Sequence, residues 1–192
     1  MMRPQENQPI APVLTLQAQG NIMPPFTICY NLAVSCWLGG AALFTFLLTP
    51  KLFAAYPRDL AGNIVGLLFP GYFRWALACG AVALLCRLID RRRFAIASLL
   101  IITSMLALTS IQAFVLEPRA AALKQSIPSF ETTAKDDPLR VQFRTLHSLS
   151  MAANLTVIVG GVMLVILASL PAGETAPQTA EPEKIASRAD RT

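Results

Sequence analysis

The chain has 192 residues, of which 54% are hydrophobic and only 14% charged, with a mean hydropathy of +0.52. Soluble domains carry about a quarter charged residues and under half apolar ones, so this composition points away from water and toward lipid. The net charge of +5 is spread over loops and tails rather than gathered on a basic helix with interleaved aromatics, which argues against a nucleic-acid partner and for contact with membrane lipid.

Residues 1–25 are polar and punctuated by Pro4, Pro9, Pro12, Pro24 and Pro25. They lack a charged start followed by a short apolar core, so they read as a disordered N-terminal arm and not as a signal peptide, with Met23 as an alternative start. Residues 26–48 are apolar and uncharged, long enough for a helix to cross about 30 Å of hydrocarbon, and Thr49-Pro50 is expected to close that helix. A second span is expected at 64–86, with Pro70 and Arg74 inside it. The turn at 87–93 holds Arg87, Arg91, Arg92 and Arg93, which by the positive-inside rule faces the cytoplasm. A third span is expected at 94–115, with Pro118 shortly after it. Residues 116–148 then form an outer loop divided by Pro128 and Pro138, whose last ten residues keep helical spacing into a fourth span at 149–170. A Pro/Glu/Thr/Ala-rich tail at 171–192 reads as disordered. The expected fold is therefore an all-α integral membrane protein, an antiparallel four-helix transmembrane bundle occupying 26–170, with both termini in the cytoplasm.

Helices in lipid associate through small residues that let backbones approach. Gly39 and Gly40 lie near the middle of the first span and Gly160 and Gly161 near the middle of the fourth, where antiparallel packing would bring the two pairs to similar depth. Gly62 and Gly66 form a GxxxG at the outer start of the second.

Arg74 is the outlier, because an arginine at mid-span costs roughly 2.5–3.5 kcal/mol on insertion scales and calls for compensation. It shares a helical face with Gly71, Ala78 and Ala81, which suits contact with other helices, and Glu117 is its candidate partner; the alternative is snorkelling to the head groups. His147, the one histidine in the chain, heads a face that continues through Ser150 and Asn154. That face either lines a polar site or bonds neighbouring helices. Arg74, Glu117, His147, Ser150 and Asn154 together are the candidates for an intramembrane polar site.

The four cysteines form two i, i+7 pairs, Cys29 with Cys36 and Cys79 with Cys86. In an antiparallel hairpin Cys29 matches Cys86 in depth and Cys36 matches Cys79. Thiolates suit soft metals, but Cys36 shares its face with Ala33 and Gly40, which favours packing over metal binding. No HExxH, GxSxG, P-loop or intramembrane carboxylate pair is present, so no catalytic residue is expected. No cofactor is expected either; haem bound through one histidine and soft-metal binding stay open.

Several short stretches carry a resemblance: Thr49-Pro50-Lys51-Leu52-Phe53, Ala61-Gly62, Leu68-Phe69-Pro70-Gly71-Tyr72-Phe73, Leu116-Glu117-Pro118-Arg119, and residues 143–150 with Asn154-Leu155. In this order the chain resembles the transmembrane-protein-205-like proteins, whose bacterial relatives carry a domain of unknown function. More distantly it looks like copper-resistance membrane proteins and a four-helix haem-pathway oxidase family, onto whose histidines only His147 maps. The resemblance implies a four-helix protein of the bacterial inner (plasma) membrane with no established reaction. The functions left open are small-solute or metal-ion handling through the polar site, a haem- or metal-binding redox protein, and a structural subunit partnered by its own copies or by a larger membrane complex.

Overall fold

The computed structural model describes residues 24–89 and 95–170. The expected N-terminal arm up to residue 23, Arg91, Arg92 and Arg93 of the basic turn, and the C-terminal tail lie outside these residues.

The described residues are all helical or looped, with no strand among them. Helix α1 runs Pro25–Ala42, widens to a π-turn at Leu43–Leu48 and continues as Thr49–Ala55. Helix α2 is Arg58–Ile89. Helix α3 runs Ala95–Ile111, widens at Gln112–Leu116 and continues as Glu117–Ser126. Helix α4 is Pro138–Ser169. All four are long and apolar enough to cross a membrane. At 31 or 32 residues each, they reach roughly 47 Å, well past the 30 Å of hydrocarbon a span must cover.

Pro50, expected to end its helix, does not, and Pro118, just past the expected third span, also lies within a continuing helix, for one reason. Proline in a helix lacks the N–H that would bond four residues back and its ring strikes that carbonyl. Here Pro50 and Pro118 each follow a π-turn by two residues, and the widened turn gives the ring its room. Each then sits in the first turn of the next α-helical segment, where proline is tolerated. Much of the expected outer loop is consequently helical, and only 127–137 remains irregular. Pro138 divides nothing. It opens α4, where Asp137 accepts hydrogen bonds from the Leu139 and Arg140 amides at 2.9 and 3.2 Å as an N-cap.

The helices alternate in direction, and each packs on its two neighbours around a square: α1 on α2, α2 on α3, α3 on α4, and α4 back on α1. The core gathers Tyr30, Val34 and Trp37 of α1, Ala76, Cys79 and Ala83 of α2, Ile102 and Met105 of α3, and Val157 and Leu164 of α4. Trp37 is its anchor, 1% exposed. Its ring lies over Gly80, where a Cβ would come within 2.7 Å of the indole and 2.5 Å of Leu106. Large apolar side chains face outward instead of in, among them Leu67 (82% exposed), Ile96 (75%) and Phe114 (72%). An apolar exterior of this kind fits transmembrane helices.

The glycine pairs of α1 and α4 do not meet each other. A Cβ added at Gly161 would come within 3.1 Å of Leu38, one at Gly160 within 2.8 Å of Met105 and one at Gly40 within 3.3 Å of the Trp75 indole, whereas one at Gly39 would find open space. Adjacent residues on a helix point about 100° apart, so a Gly-Gly pair serves two neighbours or leaves one unused. The GxxxG of Gly62 and Gly66 meets a side chain in place of a helix backbone: the Lys124 ammonium would lie 3.3 and 3.8 Å from their Cβ positions.

Candidate functional site

Toward the loop end of the bundle a seam of polar side chains joins all four helices. Asn154 of α4 is at its centre. Its amide nitrogen donates to Thr45 Oγ1 of α1 at 2.6 Å, and its carbonyl oxygen accepts from the Tyr72 hydroxyl of α2 at 2.7 Å. Tyr72 and Asn154 sit on diagonally opposite helices, so this bond crosses the bundle. One turn earlier on α4, Ser150 donates to Gln112 Oε1 of α3 at 3.2 Å. Gln112 is 2% exposed.

Each partner has a local reason for its position. Thr45 lies within the first π-turn and Gln112 opens the second, so both widened turns carry a polar side chain toward α4. Such turns recur at functional sites. Ser150 and Asn154 are one helical turn apart and therefore share a face. Tyr72 is held by aromatic contacts on one side, stacking on Phe44 at 4.8 Å and leaning on Phe73 at 5.2 Å, while Phe69 lies 5.3 Å from Phe44. The hydroxyl is thus fixed on a rigid ring before it meets the amide.

Two of the five expected polar-site residues, Ser150 and Asn154, belong to this seam; the other three lie elsewhere. Arg74 is exposed and makes no hydrogen bond or ion pair among the described residues. Helix α2 carries small residues on two faces, Gly71/Ala78/Ala81 and Ala76/Gly80/Ala83, and the bundle uses the second, so Arg74 turns outward with the first. The pairing of Arg74 with Glu117 is therefore absent. The cation facing Glu117 is Lys124, two turns further along α3, which also faces Asp59. His147 is exposed on α4 and stacks on Phe143 at 6.0 Å, one turn before it. Thr45, Tyr72 and Gln112 are the members that sequence reading missed. Tyr72 stood inside the FPGYF stretch, and Gln112 was the lone amide beside the end of an apolar run.

The cysteines meet across α1 and α2 as depth matching requires. Cys29 and Cys86 share a hydrogen bond, and Cys36 lies beside Cys79. All four are free thiols, with Cys79 and Cys86 buried. The two pairs are two helical turns apart, about 10.5 Å along the axis, so they do not form one four-thiolate site. Among the described residues no three of His, Cys, Asp and Glu converge.

The family model of a domain of unknown function, DUF4149, matches residues 32–128, just over half of the chain. The chain belongs to this family. The matched stretch of the DUF4149 domain includes Thr45, Tyr72 and Gln112, with both π-turns, and ends before Ser150 and Asn154 of α4. No curated protein and no solved structure matches the chain.

Proposed function

We propose that the protein is a non-enzymatic, multi-pass protein of a bacterial inner membrane, related to the transmembrane-protein-205-like proteins, that handles a small polar solute at the seam. In this reading the 127–137 end faces outward and both termini are cytoplasmic. One observation carries it: a hydrogen-bonded chain of Thr45, Asn154 and Tyr72, with Ser150 and Gln112 beside it, at two widened helical turns. Hydroxyl and amide side chains within spans bond neighbouring helices, and where several converge between four helices they also offer a polar surface to a solute. Hydroxyl and amide groups suit an uncharged or dipolar solute, which they bind by exchanging one hydrogen bond for another.

The test places single cysteines at Thr45, Gln112, Ser150 and Asn154 in a variant whose native cysteines are replaced. A thiol reacts with an impermeant reagent only where water reaches it, so these positions should label from the loop side while Leu43, on the outward face of α1, stays inert. Inertness at all four seam positions makes the seam a lock between helices and ends the solute reading.

The outward Arg74 favours a second reading, as a subunit of a larger membrane complex. A guanidinium on an exposed small-residue face suits an acidic residue of a neighbouring helix. Arg74→Leu should then lower recovery of the intact assembly in mild detergent. Unchanged assembly with higher stability would assign the arginine to snorkelling.

A further inference from the structure

The loop end of the bundle holds a second feature, separate from the seam: an open cavity of about 540 Å³. Tyr56 enters it from the turn between α1 and α2, Arg58 from the start of α2, Phe130, Glu131 and Lys135 from the loop, and Arg140 from the first turn of α4. Three cations therefore face one carboxylate.

The cavity is built by specific contacts. Asp59, next to Arg58, accepts from Ser129 Oγ at 2.6 Å and from the Phe130 amide at 2.8 Å, which ties the loop to α2. Arg140 donates to the Thr133 carbonyl and lies over the Phe130 ring at 5.9 Å, so its guanidinium is oriented before any ligand arrives. Arg58 and Lys135 are exposed and make no hydrogen bond or ion pair among the described residues, which leaves their donors available. Arginine forks and lysine ammonium groups together match the oxygens of a phosphate. Tyr56 adds the amphipathic ring found where helices leave a bilayer, and Phe130 adds an apolar one.

We propose that this cavity binds a phosphate-bearing anion, with Arg58 and Lys135 as its primary contacts and Arg140 as the oriented third. An anionic lipid head group and a soluble phosphate share this chemistry. The cavity's place at the end of four lipid-length helices favours the lipid.

The experiment measures thermal shift and binding for the full chain in neutral detergent. It titrates phosphatidylglycerol against phosphatidylcholine, and inorganic phosphate against chloride at equal ionic strength. Phosphatidylglycerol should stabilise the protein where phosphatidylcholine does not. Arg58→Ala with Lys135→Ala should weaken that binding by about tenfold or more, because each removes a charge-assisted contact. Lys51→Ala, an exposed cation outside the cavity, should leave it unchanged. Binding of inorganic phosphate with the same dependence on Arg58 and Lys135 identifies the phosphate group itself as the feature recognised; binding of the lipid alone identifies the head group on its chains. Equal response to the two lipids with no response to phosphate, or full binding by the double variant, overturns the proposal.

Discussion

Gly80 shows how a single hydrogen in place of a methyl group decides which face of a helix is used. Trp37 and Leu106 occupy the space that a Cβ at Gly80 would need, at 2.7 and 2.5 Å. Gly80→Val should therefore cost about 1–3 kcal/mol through overpacking, seen as a lower melting temperature in detergent. Gly39→Ala, with nothing within 4 Å, should stay within about 0.5 kcal/mol of the parent. Equal effects at the two glycines would refute the placement of Trp37. Asp59, in the first turn of α2 and outside the 64–86 crossing, offers a pH-dependent counterpart. Hydrogen bonds from Ser129 and the Phe130 amide hold its carboxyl below the ordinary 3.8. A depressed carboxylate contributes stability that is present above the unfolded value and is lost as pH falls through the folded one. Protection of the Phe130 amide from hydrogen exchange, corrected for the intrinsic rate, should hold above pH 3.8 and fall away below it. Asp59→Asn should remove that dependence, and a parent protein with flat protection through this range would contradict it.

Among the elements, α1 and α3 are built alike at their loop ends. Each has a π-turn, then a short α-helical segment with proline at its second position, and each projects a polar side chain to α4. Reading proline as a stop was sound for a regular helix and wrong here, because a π-turn cannot be recognised from composition. The cysteine register was readable, since in an antiparallel hairpin of α1 and α2 the equal spacing sets Cys29 level with Cys86 and Cys36 level with Cys79. Mild oxidation with copper phenanthroline should join Cys29 to Cys86 within one chain, identified by mass spectrometry after digestion. Cross-linking of Cys29 to Cys79 in preference would shift the register of the two helices by two turns. Serine should be tolerated at exposed Cys29 and Cys36 and should cost more at buried Cys79 and Cys86.

At the scale of the molecule, an apolar exterior, a compact core at one end and a polar seam near the other follow from four long helices around a square. The proposed orientation rests on the arginine-rich turn, which is hard to translocate. In a cysteine-free background, Thr132→Cys in the loop should react with an impermeant thiol reagent in intact cells. A cysteine at Arg91 should react only after the membrane is opened. The reverse pattern would invert the topology and turn the phosphate-binding cavity toward the cytoplasm.

Span number, all-helical class and antiparallel neighbours were set by the sequence alone, because hydrocarbon thickness and backbone hydrogen bonding leave an apolar run of some twenty residues almost no choice but a helix. The shared face of Ser150 and Asn154 followed from helical periodicity in the same way. Which face of each helix turns inward was decided only in the assembled bundle. Two small-residue faces on α2 are equivalent on paper, and the fit of Trp37 over Gly80 selects one, sending Arg74 outward and Tyr72 across to Asn154. Periodicity ranks faces by composition, whereas the partner of a polar group depends on rotations of about 100° per residue, which a single π-turn resets.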